Sequence, residues 1–168
     1  LAHTCPDYFK LVEVGIGGIR AEIENHGKKA ENGHFYRKAM DIALSGFSTF
    51  ARRLAEMARR RGLGHIADNC KKIAENAPET FEQALQLIWL VNCSIGIAEY
   101  HTASLSLGLM DRFLLPFYER DVANGVPAAD LEAVMADFLR KLNRFGDSAC
   151  AVNISAASTD PKRNQYSE

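Results

Sequence analysis

What the sequence lacks narrows it first. It has no CxxC pair: its four cysteines, Cys5, Cys70, Cys93 and Cys150, are widely spaced. A chain of 168 residues can bury enough core to do without disulfides, so reduced cytosolic thiols are expected. No signal peptide is visible, and the expected localisation is cytoplasmic. None of the five histidines forms HxH, HxxxH or HExxH, and Cys70 and Cys93 have no histidine at ligand spacing. A zinc site therefore has no basis in the sequence. The absence of a G-x-S-x-G elbow leaves Ser/His/Asp hydrolysis equally unsupported. Charge of one sign is not in excess: 20 Lys+Arg stand against 21 Asp+Glu, a formal −1. That balance offers no electrostatic reason to expect nucleic acid or an acidic membrane as partner. The basic clusters Arg52-Arg53 and Arg59-Arg60-Arg61 read as a solvated helix face. A long apolar run is missing too. Leu85–Ala98 is interrupted by Gln86, Asn92 and Ser94 and is shorter than the ~20 residues that span a bilayer.

What is there is helical almost throughout. Pro6-Asp7 is a start signal, followed by Phe9, Val12, Ile16, Ile19 and Ile23 at helical spacing. A second stripe runs through Phe35, Met40, Leu44, Phe47, Phe50, Leu54 and Met57 until Gly62 stops it. "IADNCKKIAENA" is a shorter helix. Thr80 and Gln83 match a capping box that opens "FEQALQLIWLVNCSIGIAEY", apolar nearly all round and so expected to be the most buried helix. In the next segment, Pro116 predicts a kink or break. Pro127 and Gly146 bracket the last helix. The stretch "AEYHTASLSLGLMDR" reads as a polar loop facing a pocket, and only "SACAVNISAAS" reads as a strand. The expectation is one mainly α domain over residues 1–168, with one strand near the C-terminus.

"LVEVGIGGI" raises a separate question, because an apolar run into glycines resembles a dinucleotide fingerprint. The third glycine of G-x-G-x-x-G would have to stand at Arg20, and a long helical pattern follows. The fingerprint fails. Glycine inside a helix is destabilising by up to ~1 kcal/mol relative to alanine, so close approach of a neighbouring backbone is the expected reason for Gly15, Gly17 and Gly18.

Three stretches carry a resemblance. "HTCPDYFKLVEVGIGGI" resembles H-x-x-x-D-Y followed by V-L-x-x-G-x-x-G-I, and "PETFEQALQLIWLVNCSIGIAEY" resembles P-x-T-F-x-E-A-L-Q-L-x-W-F ending in an acidic residue. "SLSLGLMDRFLLPFYERDVANG" resembles S-x-S-x-G-R-x-D-Q-x-L-x-P-F-Y-E-x-D. In that order and spacing they are similar to the glycyl radical enzymes of the pyruvate formate-lyase superfamily, nearest the diol dehydratase and amine-lyase branch. The resemblance implies a large barrel of strands wrapped by helices. A backbone glycyl radical there generates a cysteine thiyl radical that abstracts hydrogen from the substrate. It further implies an activating partner that uses S-adenosylmethionine and an iron–sulfur cluster, and an anaerobic setting.

The motifs for the thiyl cysteine and the glycyl radical are not in this sequence. Cys150 lies in a different part of the pattern and reads as a buried apolar thiol. With Leu1 at its start, the chain is expected to be an internal piece of such an enzyme, without the radical-bearing part, and inactive alone. The resemblance puts His3 on a position that contacts the substrate hydroxyl, where a histidine could orient substrate or relay a proton. Ser104 falls on a second substrate-binding position, and Glu99 on an acidic one read as structural. Departures are Ala103 for a family histidine, Leu109 for arginine, Arg112 for glutamine, and Ser155-Ala156 for two glycines. No cofactor is expected in the piece itself. The competing reading is a helical binding or dimerisation module, whose uncovered apolar faces would favour a homo-oligomer.

Overall fold

The computed structural model describes residues 5–26, 33–98, 104–143 and 149–153. They form six helices and two strands: α1 (Tyr8–His26), α2 (Gly33–Arg60), α3 (Gly64–Ile73), α4 (Phe81–Ala98), β1 (Ser104–Leu109), α5 (Met110–Ala123), α6 (Ala128–Asn143) and β2 (Ala149–Asn153). The mainly helical expectation holds.

The helix ends follow the sequence signals. Asp7 Oδ1 accepts the Lys10 N–H at 3.0 Å, capping α1. Gly62 ends α2 at φ +75, with the Leu63 N–H reaching back to Ala58 O at 2.9 Å, a left-handed C-terminal cap. Thr80 Oγ1 accepts the Gln83 N–H at 3.2 Å, while Gln83 Oε1 takes the N–H of Glu79 rather than that of Thr80. The capping box is thus present with its return bond shifted by one residue. Pro116 does not end its helix: α5 runs on to Ala123.

α1 departs from a regular helix where the glycines cluster. Gly15 has φ 66 and ψ −176 inside it, so two helical pieces meet at a kink. A Cβ at Gly15 would lie 2.4 Å from the Ala77 nitrogen and 2.5 Å from the Asn76 carbonyl carbon. The Gly17 N–H, freed from its own helix, donates to Glu75 O at 2.7 Å. The connection after α3 therefore touches α1 backbone to backbone, which is the reason the sequence suggested for the glycines. Before the kink the buried face is Tyr8, Leu11 and Val12, at helical spacing and one position off from the Phe9 that the sequence stripe began with; Phe9 is exposed.

The core forms around α4. Leu85, Leu87 and Ile88 are at most 2% exposed, packed with α1, α3, α5 and α6, and each such side chain stabilises the fold by about 1.5–3 kcal/mol. The helix runs from Phe81, longer than the apolar stretch read from the sequence. By length and composition alone it would be apolar enough to cross a membrane; here its first half lies in the core. Its second half is different, and Ile97 is 71% exposed. The first half of α2 meets α1 through Arg20, which pairs with Asp41, but Phe35, Tyr36, Met40 and Ile42 stay exposed although the sequence stripe suggested a core face for two of them.

The segment read as a polar loop contains a strand. In β1 the leucines 105, 107 and 109 alternate with Ser104, Ser106 and Gly108, the period of a pleated strand; the dense hydroxyls obscured it. β1 pairs with β2 in parallel, Ser104 opposite Ala149, Leu105 opposite Cys150 and Ser106 opposite Ala151. The register slips between Ser106 and Leu109. Parallel strands need a long crossover, here supplied by α5 and α6, and such sheets are normally covered on both faces.

Candidate functional site

The end of β1 is built by an irregularity. Gly108 takes φ +63 and its N–H donates to Ser106 Oγ at 3.3 Å, so the strand bends where its pairing slips. A Cβ at Gly108 would sit 3.4 Å from Cys5 Sγ. The N-terminal segment is thus seated against the last residues of β1.

Tyr8 fixes that segment. Its ring lies 6.0 Å from Phe113 of α5, and Phe9 meets Phe113 edge-on at 5.3 Å. The Tyr8 hydroxyl donates to Asn92 Oδ1 of α4, both residues being at most 2% exposed. Asn92 Nδ2 is buried with no acceptor among the described residues. One buried polar pair thereby ties the start of α1 to the middle of α4, beside the first turn of α5.

A second buried polar contact aligns α4 itself. Asp121 of α5, 5% exposed, accepts the Phe81 N–H at 2.8 Å and places negative charge at the start of α4, where the helix dipole favours it. Sequence reasoning assigned no role to Tyr8, Asn92 or Asp121. Tyr8 and Asp121 were nonetheless visible as the closing letters of D-Y and F-Y-E-x-D.

Of the residues proposed for substrate, Ser104 opens β1, and the structure describes its backbone and not its side chain. His3, Glu99 and Ala103 lie outside the described residues. Leu109 closes β1 opposite Asn153, and Arg112 lies in the first turn of α5, engaged with neighbouring groups. The structure brings Cys5, two residues after His3, to the strand that Ser104 begins.

The thiols of Cys70 and Cys93 are poor candidates for thiolate chemistry. Burial pushes the Cys93 thiol up to about 11. Burial also raises the Cys70 thiol, against a donated hydrogen bond from Gln86 Nε2 at 2.8 Å. Cys5 is exposed, and Cys150 is placed on β2 without a described side chain. Among the described residues no three His, Cys, Asp or Glu side chains gather as a metal site.

Comparison with known proteins follows this geometry. A family model described as pyruvate formate lyase-like matches residues 1–151. The probable dehydratase YbiW of Escherichia coli is 34% identical over 139 residues, 72% of this chain and 17% of the relative. The (2S)-3-sulfopropanediol dehydratase of Klebsiella oxytoca is 30% identical over 162 residues, 84% of this chain and 19% of the relative. A glycyl radical enzyme from Archaeoglobus fulgidus superposes with a TM-score of 0.60 at 26% identity, over 81% of this chain and 20% of that one. The chain spans a fifth or less of the length of these relatives.

Proposed function

Because this chain belongs to the pyruvate formate lyase-like family of glycyl radical enzymes, we propose that it forms part of the substrate-pocket wall of a radical lyase or dehydratase. The parent would cleave a C–O, C–N or C–C bond. The observation that carries this reading is the junction at Gly108, where the N-terminal segment meets the end of a parallel strand opened by Ser104. His3 and Ser104 are the proposed substrate-binding residues, an imidazole and a hydroxyl able to hold polar substrate groups. Neither is assigned the bond-breaking step.

Family chemistry would be supplied by a glycyl radical installed by an activating enzyme that uses S-adenosylmethionine and an iron–sulfur cluster. The residues of this chain do not fit that role, since the motifs for the radical glycine and the thiyl cysteine are absent from its sequence. No radical step is derived from it, and we expect the chain alone to be inactive. Orientation without the reacting pair accelerates nothing.

A second reading, a non-catalytic helical module that associates with itself, is favoured by the exposed apolar side chains in the first half of α2. There Phe35 is 73% and Tyr36 62% exposed, and their rings pack edge-on 5.9 Å apart.

The intact mass of the source polypeptide that contains residues 1–168 separates the readings. A chain several times heavier than 18.6 kDa allows the test of substrate binding: His3→Ala and Ser104→Ala in that polypeptide should raise KM for its substrate. A mass near 18.6 kDa would sink catalysis by the family mechanism in this chain and leave the module.

A further inference from the structure

Between α2, α3, α4 and α6 the fold leaves a half-open cavity of about 550 Å³. Its floor is α4, with α2 and α3 on one wall and α6 on the other. Leu54, Ile66, Leu85, Trp89, Val134 and Phe138 make its surface predominantly apolar. The volume lies in the range of small-molecule sites, roughly 300–1,000 Å³.

Four charged side chains also line it: Arg61, Glu82, Asp137 and Lys141. Three are already committed. Glu82 is bound by His65 of α3, and Asp137 pairs with Lys141 at 2.7 Å. Arg61, at the end of α2, has no ion-pair partner among the described residues. Arg61 is therefore the cation of the lining that is left without an ion pair among those residues, beside a predominantly apolar surface.

We propose that this cavity binds a small amphipathic carboxylate, its aliphatic tail against Trp89 and Phe138 and its head on the Arg61 guanidinium. A guanidinium fork matches a carboxylate in two parallel N–H···O bonds. A phosphate dianion would meet stronger repulsion from Glu82 and Asp137, and a cationic head would find both of those carboxylates already paired. The site is separate from the β1 junction and does not depend on the radical chemistry of the family.

Trp89 is the single tryptophan of the chain, so its fluorescence reports on this cavity directly. The 168-residue chain is titrated with octanoate, with octanol and octylammonium as controls. Octanoate should give a saturable change, octanol should bind about tenfold more weakly, and octylammonium should give none. Arg61→Gln, at an exposed position, should weaken octanoate about tenfold and leave octanol unchanged. Three results would overturn the proposal: no saturable response to octanoate, equal affinity in Arg61→Gln, or a Trp89 signal that follows protein concentration in step with dimer formation by sedimentation. The last would assign the cavity to a second copy of the chain.

Discussion

Tyr8 and Asn92, 84 residues apart in sequence, share a buried hydrogen bond in which the phenol donates to the amide oxygen. The bond holds the start of α1 against α4 at the point where the N-terminal segment turns toward β1. Its partner atom, Asn92 Nδ2, is left without an acceptor among the described residues, so the pair is polar structure kept inside an apolar core.

Tyr8→Phe should therefore destabilise the chain by about 1–3 kcal/mol, since Asn92 then keeps two unmet polar atoms. Adding Asn92→Leu to Tyr8→Phe should restore much of the loss, because apolar groups of similar shape replace both partners. Urea midpoints of the two single variants and the double variant measure the coupling. Additive losses would show that the bond does not join the residues energetically.

Gly15 and Gly46 should respond to alanine with opposite signs. At Gly15 the backbone angles, φ 66 and ψ −176, are open almost only to glycine, and a Cβ would overlap Ala77 N at 2.4 Å. Gly15→Ala should cost at least about 3 kcal/mol or prevent folding. Gly46 lies within α2 with nothing within 4 Å of a built Cβ, so Gly46→Ala should stabilise by about 0.5–1 kcal/mol. Thermal midpoints of the two variants decide it.

Asp121 acts as a cap supplied from another helix. Asp121→Ala should cost about 1–3 kcal/mol by leaving the Phe81 N–H buried and unpaired. Asp121→Asn, which retains an accepting oxygen, should cost less. Amide exchange in the first turn of α4 should quicken most in the alanine variant; unchanged exchange there would remove Asp121 from this role.

Cys93 makes stability depend on alkaline pH. Its folded value, about 11, lies above the ordinary 9.0, so the folded chain holds the thiol proton more tightly than the unfolded chain. The stabilisation is complete below pH 9 and is lost as pH rises through 11. Cys93→Ala should flatten that part of the urea-midpoint profile. At pH 8, a thiol reagent should modify exposed Cys5 faster than Cys70 or Cys93.

Helices, their caps and the family were legible in the sequence because each is written in short-range chemistry. Asp7, Thr80, Gln83 and Gly62 act within a few residues of themselves, and the apolar spacing of α4 has a helical period wherever it lies. The strand at 104–109 was legible in principle, through its alternating leucines, but its serines and glycine also suit a loop. Tertiary structure decided which faces are buried. Packing on α4 and α5 chose the face of α1 that carries Tyr8, Leu11 and Val12 over the one that carries Phe9, and the described fold leaves Phe35, Tyr36, Met40 and Ile42 of α2 exposed. It also decided the contacts between residues far apart in sequence: Tyr8 with Asn92, Asp121 with Phe81, and Gly17 with Glu75. Such pairs depend on which surfaces the packed helices bring together, and periodicity along one segment carries no information about the segment it will meet.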